Sequence, residues 1–280
     1  MLGIRKMNFA IECATKLWMK QVFKKNNLKR ILNMTKRFLV IIVFLFLTLS
    51  CASKNDPREY QVGAYLWQQR SGEYRALCYQ AYNLARMNLA LDLQDKHNRK
   101  RAVVFDIDET VLDNSFSGAY ELKNHLGWSS ELFNSWVKKA RADGVAGARE
   151  FIDYAFENRV EVIYISNRTS DQIDDTLLNF KNLGIKARRE NMIFMENEWS
   201  KEKRREEIRK KYDVVLYFGD NLHDFDRDFD NKNSDERKTI VDKRRQDFGN
   251  KFIILPNPLY GDWEKALPKN ENKRELLIER

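Results

Sequence analysis

Three short segments carry most of the side chains able to do chemistry. They read Asp106-Ile107-Asp108-Glu109-Thr110, Ser166-Asn167-Arg168 and Gly219-Asp220-Asn221-Leu222-His223-Asp224. Two carboxylates two residues apart at an extended strand end lie on the same side of the chain, and further carboxylates arriving from another strand repel them. Such a set needs a cation. A hard divalent ion such as Mg²⁺ prefers carboxylate and carbonyl oxygens, keeps several waters and recruits a phosphate as a remaining ligand. A lone Asp-x-Asp is usually a solvated turn, but here three chemical segments each follow an apolar run, which points to one shared site.

Those apolar runs are the elements that must position the site. Ala102 to Phe105, Val162 to Ile165, Met192 to Phe194, Val214 to Phe218 and Phe252 to Leu255 are short, wholly apolar and rich in β-branched residues, which predicts strands buried on both faces. The intervening stretches Leu132 to Tyr154, Ile173 to Leu183 and Lys201 to Tyr212 suit helices. The alternation predicts an α/β fold with a doubly wound parallel sheet, whose ligands sit beyond the carboxyl ends of the strands. Upstream, Tyr74, Leu77, Ala81, Leu84, Met87 and Leu91 recur at spacings of three and four, predicting one apolar helix face within residues 60 to 95 that packs on the domain.

With 43% hydrophobic and 32% charged residues in a chain of 280, neither a disordered polyelectrolyte nor a multi-span membrane protein is indicated. The net charge of +9 lies entirely within the first 37 residues; beyond residue 50 the chain holds 40 basic and 40 acidic side chains. A neutral body lacks the basic field that attracts polyphosphate backbones, so no nucleic-acid partner is expected. From Met34, a basic Lys36-Arg37 precedes the ten-residue run Phe38 to Leu47 and then Thr48-Leu49-Ser50-Cys51, the parts of an export signal covering residues 34–50. Residues 1–33 stand upstream of that complete signal, as a misassigned start codon would leave them. Residues 51–59 read as a polar tether and 60–280 as the folded domain. With Cys51 modified and Cys13 removed, Cys78 remains a single thiol, so no internal disulfide is expected.

The order Asp106-x-Asp108-x-Thr110, Ser166, Lys201 and Gly219-Asp220-x-x-x-Asp224 resembles the four motifs of the haloacid-dehalogenase-like (HAD) phosphohydrolases. More narrowly, Asp106 to Ser115, Tyr164 to Arg168, Gly219 to Phe225 and Leu255-Pro256-Asn257-Pro258-Leu259-Tyr260-Gly261 are similar to the bacterial class C acid phosphatases, secreted lipoproteins with 5′-nucleotidase activity. The resemblance covers about residues 60 to 270 and the leader. It implies a HAD-like (Rossmannoid) sheet with an additional helical N-terminal part and a small helical insert after the first motif. It implies a lipid on Cys51, a cell-envelope location at the outer membrane or cell surface, and a homodimer.

By the same resemblance Asp106 is the nucleophile, a carboxylate already ionised at neutral or acid pH. Asp108 is the general acid and base. Asp106 and Asp220 bind Mg²⁺ through side chains and Asp108 through its backbone carbonyl, while Asp224 is a water-mediated ligand or a support. Ser166 and Asn167 donate to a phosphoryl oxygen. Lys201 neutralises the phosphate, although Lys203, Arg204 and Arg205 crowd it and a basic helix start is commonly a solvated face. Trp136 and Tyr260 match the aromatic mouth that would stack a nucleobase, with core packing as the other reading of Trp136; Tyr120 and Trp128 are weaker candidates. The expected substrates are phosphomonoesters, especially nucleoside monophosphates. A lipoprotein that binds haem or adheres, and a phosphotransferase using the same intermediate, are the competing readings. The P-loop and Arg-His-Gly signatures are missing, and Leu84 stands where a Cys78-based phosphatase needs Arg.

Overall fold

The computed structural model describes residues 12, 14–25, 29–30, 32–33, 36–37, 58–269 and 272–279. The chain divides into two units, Met1–Asn55 and Asp56–Arg280. In the first, residues 14–25 are helical with mostly exposed side chains. Cys51 and the apolar run of the leader lie outside the described residues, as does most of the tether.

In the second unit β1 (Arg101–Phe105), β4 (Glu161–Thr169), β5 (Met192–Met195), β6 (Asp213–Gly219) and β7 (Phe252–Ile254) pair in parallel in the order β5-β4-β1-β6-β7. All five predicted runs are strands. A two-stranded antiparallel ribbon, β2 (Leu112–Asp113) with β3 (Asp143–Gly144), stands apart from this sheet. Because side chains alternate along a strand, Val103 and Phe105 of β1 enter one core and Ala102 and Val104 the other. Helices α1 (Val62–Arg70) and α2 (Gly72–Asp92) precede the sheet. Helices α3 (Ser115–Lys123) and α4 (Ser130–Val137) form the small insert after β2. The first core takes in α2, α5 (Ala148–Glu157) and α6 (Ile173–Leu183), while Ile208 of α7 (Glu202–Lys211) covers the other face. Helices α8 (Ser234–Lys243) and α9 (Asp262–Lys265) follow the last two long strands.

Two expectations are corrected. The stretch from Leu132 to Tyr154 is two helices, α4 and α5, separated by β3. Ala140 (φ 47°) and Gly147 (φ 89°) both take left-handed backbone, which stops one helix and precedes the next. A Cβ at Gly147 would also stand 3.0 Å from that of Tyr82. The second correction is the buried face of α2, which is Tyr74, Cys78, Tyr82, Ala85 and Leu89, while Leu77, Leu84, Met87 and Leu91 are exposed. Neighbouring residues of a helix point about 100° apart, so both stripes have helical spacing. What selects the buried one is aromatic reach with a satisfied polar tip. Tyr82 stacks on Phe218 at 5.6 Å between ring centres and donates its hydroxyl to the Thr110 carbonyl at 2.7 Å. Leu77, Ala81 and Leu84 instead line a cavity of about 850 Å³ beside β7 and α8.

Candidate active site

The site is assembled at the carboxyl ends of β1, β4 and β6. At the end of β1 the Asp106 amide donates to the Phe218 carbonyl at 2.9 Å, which ties the first acid to the neighbouring strand. The chain then turns sharply: the amides of Val111 and Leu112 both donate to Ile107 O, at 2.8 and 2.9 Å. Glu109 closes this turn with φ 57°, a conformation that costs a non-glycine residue about 1–2 kcal/mol. Its fully buried carboxyl group accepts the Asn114 amide at 2.7 Å and the Tyr260 hydroxyl. Burial, with Asp108, Asp220 and Asp113 nearby, pushes the Glu109 carboxyl well above the ordinary range.

At the end of β6, Gly219 is required for space, since a Cβ there would stand 2.4 Å from the Asp224 Cβ. Asp224 folds back over it and accepts the Asn221 amide at 2.9 Å. Asp220 accepts Asn257 Nδ2 at 2.7 Å, which fastens the loop carrying Tyr260 to the acids. Lys201, only 3% exposed at the start of α7, donates to Asp106 and, at 2.6 Å, to Asp224. Among the basic residues crowded there, it is the one that reaches these acids. Arg204 reaches the β4 end instead, donating to Ser166 O at 2.7 Å and Asn167 Oδ1 at 2.6 Å. Ser166 is fully buried, and its hydroxyl oxygen accepts the Arg168 amide at 3.0 Å.

Asp106, Asp220 and Asp224 offer carboxylate oxygens that all lie within 4.8 Å of one another. Burial raises the Asp106 carboxyl to about 6 against the pull of Lys201, with Asp224 and Asp108 adding to the rise. Burial, with the charges of Asp224 and Asp106, holds Asp220 well above its usual value. Asp224 is also buried, but Lys201, His223 and the Asn221 amide bring it below the carboxylate range. The expectation that Asp106 is already ionised at neutral or acid pH thus meets an environment that raises its carboxyl, while Lys201 helps to hold the neighbouring Asp224 charged. An all-oxygen donor set with excess negative charge fits a hard divalent cation.

The Asp108 side chain has other partners. Its Oδ1 accepts Arg168 Nη2 at 2.8 Å and Asn114 Nδ2 at 2.8 Å. Trp136, partly buried on α4, donates its indole N–H to Asn114 Oδ1 at 2.8 Å. Tyr260 is 39% exposed, while Tyr120 and Trp128 lie open on α3 and in the loop after it. Arg168, Asn114, Glu109, Arg204 and Asn257 had no assigned role in the sequence. The usable signal was strand alternation, which sets Arg168 on the same side as Ser166, two residues earlier.

Residues 51–263 match the family model described as HAD superfamily, subfamily IIIB (Acid phosphatase). The chain is similar to the solved class C acid phosphatase from Bacillus anthracis, with 38% identity, a TM-score of 0.74, and coverage of 79% of this chain and 95% of that one. A second structure of the Bacillus anthracis class C acid phosphatase, with tungstate bound, matches at 38% identity and a TM-score of 0.75, covering 81% of this chain and 99% of the other.

Proposed function

This chain belongs to the acid phosphatases of HAD subfamily IIIB, which hydrolyse phosphomonoesters, and from that premise we propose a Mg²⁺-dependent route through an aspartyl-phosphate on Asp106. The observation that carries this reading is the convergence of two strand ends and the start of α7 on Asp106, Asp220, Asp224 and Lys201, with Asp108 near Asp106. An Asp106 carboxylate oxygen attacks phosphorus, and the phosphorus–ester oxygen bond breaks with its electron pair going to the leaving alcohol. Asp108 gives that oxygen a proton. Water then attacks the phosphoryl group and returns a proton to Asp108, and breaking the bond between phosphorus and the Asp106 oxygen releases phosphate, leaving Asp106 a carboxylate and Asp108 protonated, as at the start. Ser166 and Asn167 donate to phosphoryl oxygens, and Lys201 balances their charge. Asp106, Asp220 and Asp224 would hold the Mg²⁺, with the Asp108 carbonyl as a further ligand; when bound, the ion draws charge from the phosphoryl oxygens. The relative's tungstate, a tetrahedral oxyanion like phosphate, supports this reading.

Nucleoside monophosphates are the preferred substrates in this proposal. Tyr260 supports that choice, because its hydroxyl is anchored on Glu109 while the ring stays partly exposed; Trp136 is the second stacking ring. The test compares a nucleoside monophosphate with glycerol phosphate, with and without chelator. Chelation is expected to stop both reactions and added Mg²⁺ to restore them. Tyr260→Ala is expected to lower kcat/KM for the nucleotide by about 5- to 150-fold, as removal of a stacking ring does, and to spare glycerol phosphate. Equal losses on the two esters sink the nucleotide preference, and activity indifferent to chelator sinks the metal.

Lipid anchoring at Cys51 is part of the same proposal and is supported by the leader sequence. Labelled palmitate is expected to enter the protein expressed from Met34 in bacteria, and Cys51→Ser to abolish that incorporation. Label retained by the serine variant rules the anchor out.

A further inference from the structure

We infer that Arg168, Asn114 and Trp136 are positioning residues that fix the Asp108 carboxylate with one oxygen tied and the other left to work on the substrate. This rests on the reading of Asp108 as the acid that protonates the leaving group.

The two carboxylate oxygens of Asp108 are unequal. Oδ1 accepts three donors: Arg168 Nη2 at 2.8 Å, Asn114 Nδ2 at 2.8 Å and Arg168 Nε at 3.0 Å. Among the described residues, Oδ2 receives only a longer approach from Arg168 Nε at 3.3 Å. An oxygen already accepting three donors has no lone pair to spare for a moving proton, so Oδ2 is the oxygen that exchanges one with the ester and with water. The donors are themselves held. Arg168 is buried, gives Nη1 to Thr176 Oγ1 at 2.9 Å and sits 5.7 Å from the centre of the Phe133 ring. Asn114 is buried and presents its amide N–H to Asp108 because its carbonyl oxygen is engaged by the Trp136 indole at 2.8 Å. An amide flip would set that indole N–H against an N–H₂ group, so Trp136 selects the orientation that donates to Asp108. Trp136 thus has a role in its N–H that is separate from any stacking of its ring.

A positioning role for the acid predicts losses that depend on the leaving group. p-Nitrophenolate departs with little protonation, whereas a glycerol alkoxide needs the proton, so a misaligned acid penalises the second ester selectively. The experiment measures kcat/KM for p-nitrophenyl phosphate and glycerol phosphate in the full chain with Mg²⁺. The variants are Asp108→Asn as reference, Arg168→Gln, Arg168→Lys and Trp136→Phe, the last keeping an aromatic ring while removing the N–H. Arg168→Gln is expected to lose about tenfold or more on glycerol phosphate beyond its loss on the aryl ester. Trp136→Phe is expected to show a selective loss of about threefold or more, and Arg168→Lys to recover part of the arginine effect. If Asp108→Asn is selective but Trp136→Phe and Arg168→Gln lose equally on both esters, or lose nothing, the positioning role is overturned and the acid stands. If Asp108→Asn shows no selectivity, the acid reading falls and the inference with it. Should Arg168→Gln fail to fold, Trp136→Phe decides the matter alone.

Discussion

Asp106→Asn is expected to lower turnover by about 10⁴-fold or more, the order of loss seen when a covalent nucleophile is removed. The substitution barely changes volume, and Lys201 keeps Asp224 as its partner at 2.6 Å, so the loss should not come from unfolding. The carboxyl's raised value of about 6, against an ordinary 3.8, fixes the sign of the stability effect. A buried acid with a raised value binds its proton more tightly when folded, so the parent loses stability as pH rises from about 4 through about 6. Asn imitates the neutral form and is spared that loss. The difference in Tm, variant minus parent, should therefore increase over this interval. Turnover above about a hundredth of the parent rate, in a variant whose melting is intact, would remove the aspartyl-phosphate from consideration.

Lys201→Met carries the second large effect, this time on the fold. The ammonium is 3% exposed and is the ion-pair partner of both Asp106 and Asp224. Removing one side of a buried ion pair typically costs about 3 to 5 kcal/mol, because the remaining charges stay desolvated. In a domain of this size that is a fall in Tm of about 6 to 20 °C. Lys201 is raised above its usual 10.5 by Asp106 and Asp224 despite its burial, so its contribution is complete at neutral pH and fades only as pH climbs through the folded value. Asp224 is held below 3.8, so its contribution is present at neutral pH and fades as pH falls through that lowered value. The deficit should accordingly be largest between these limits and shrink in acid. A melting curve that matches the parent at pH 7 would show that Lys201 is not the counter-charge of these acids.

The strand ends were legible because a parallel strand covered on both faces is written as an uninterrupted apolar run, and Asp106, Ser166 and Gly219 stand directly after three of them. Pairings across the sheet left no such mark. Nothing in the spacing says that Arg168 spends its guanidinium on Asp108, or that Arg204 serves Ser166 while its near neighbour Lys201 serves Asp106; those choices arise only where the ends of β4 and β1 and the start of α7 come together in space. The face of α2 was misread because Leu and Met weigh more than Tyr on any apolar scale, yet a tyrosine whose hydroxyl finds a carbonyl, as Tyr82 finds Thr110, is a good core residue. The break between α4 and α5 was hidden because Ala140 adopts a left-handed backbone that its residue type gives no reason to expect.

The place of β1 at the centre of the sheet has a kinetic consequence. Phe105 registers with Tyr164 on one side and with Phe218 on the other, 59 and 113 residues along the chain. Parallel pairing over such separations requires closing long loops before any contact rewards it, which makes folding slow. A ribosome extending the chain from its N-terminus exposes the apolar segment Ala102 to Phe105 long before the last strand that flanks it exists. In that interval both edges of β1 are open to strands of other chains. Asp106, the residue on which catalysis turns, is thus made early, completed late, and carried meanwhile by the segment most in need of protection from aggregation.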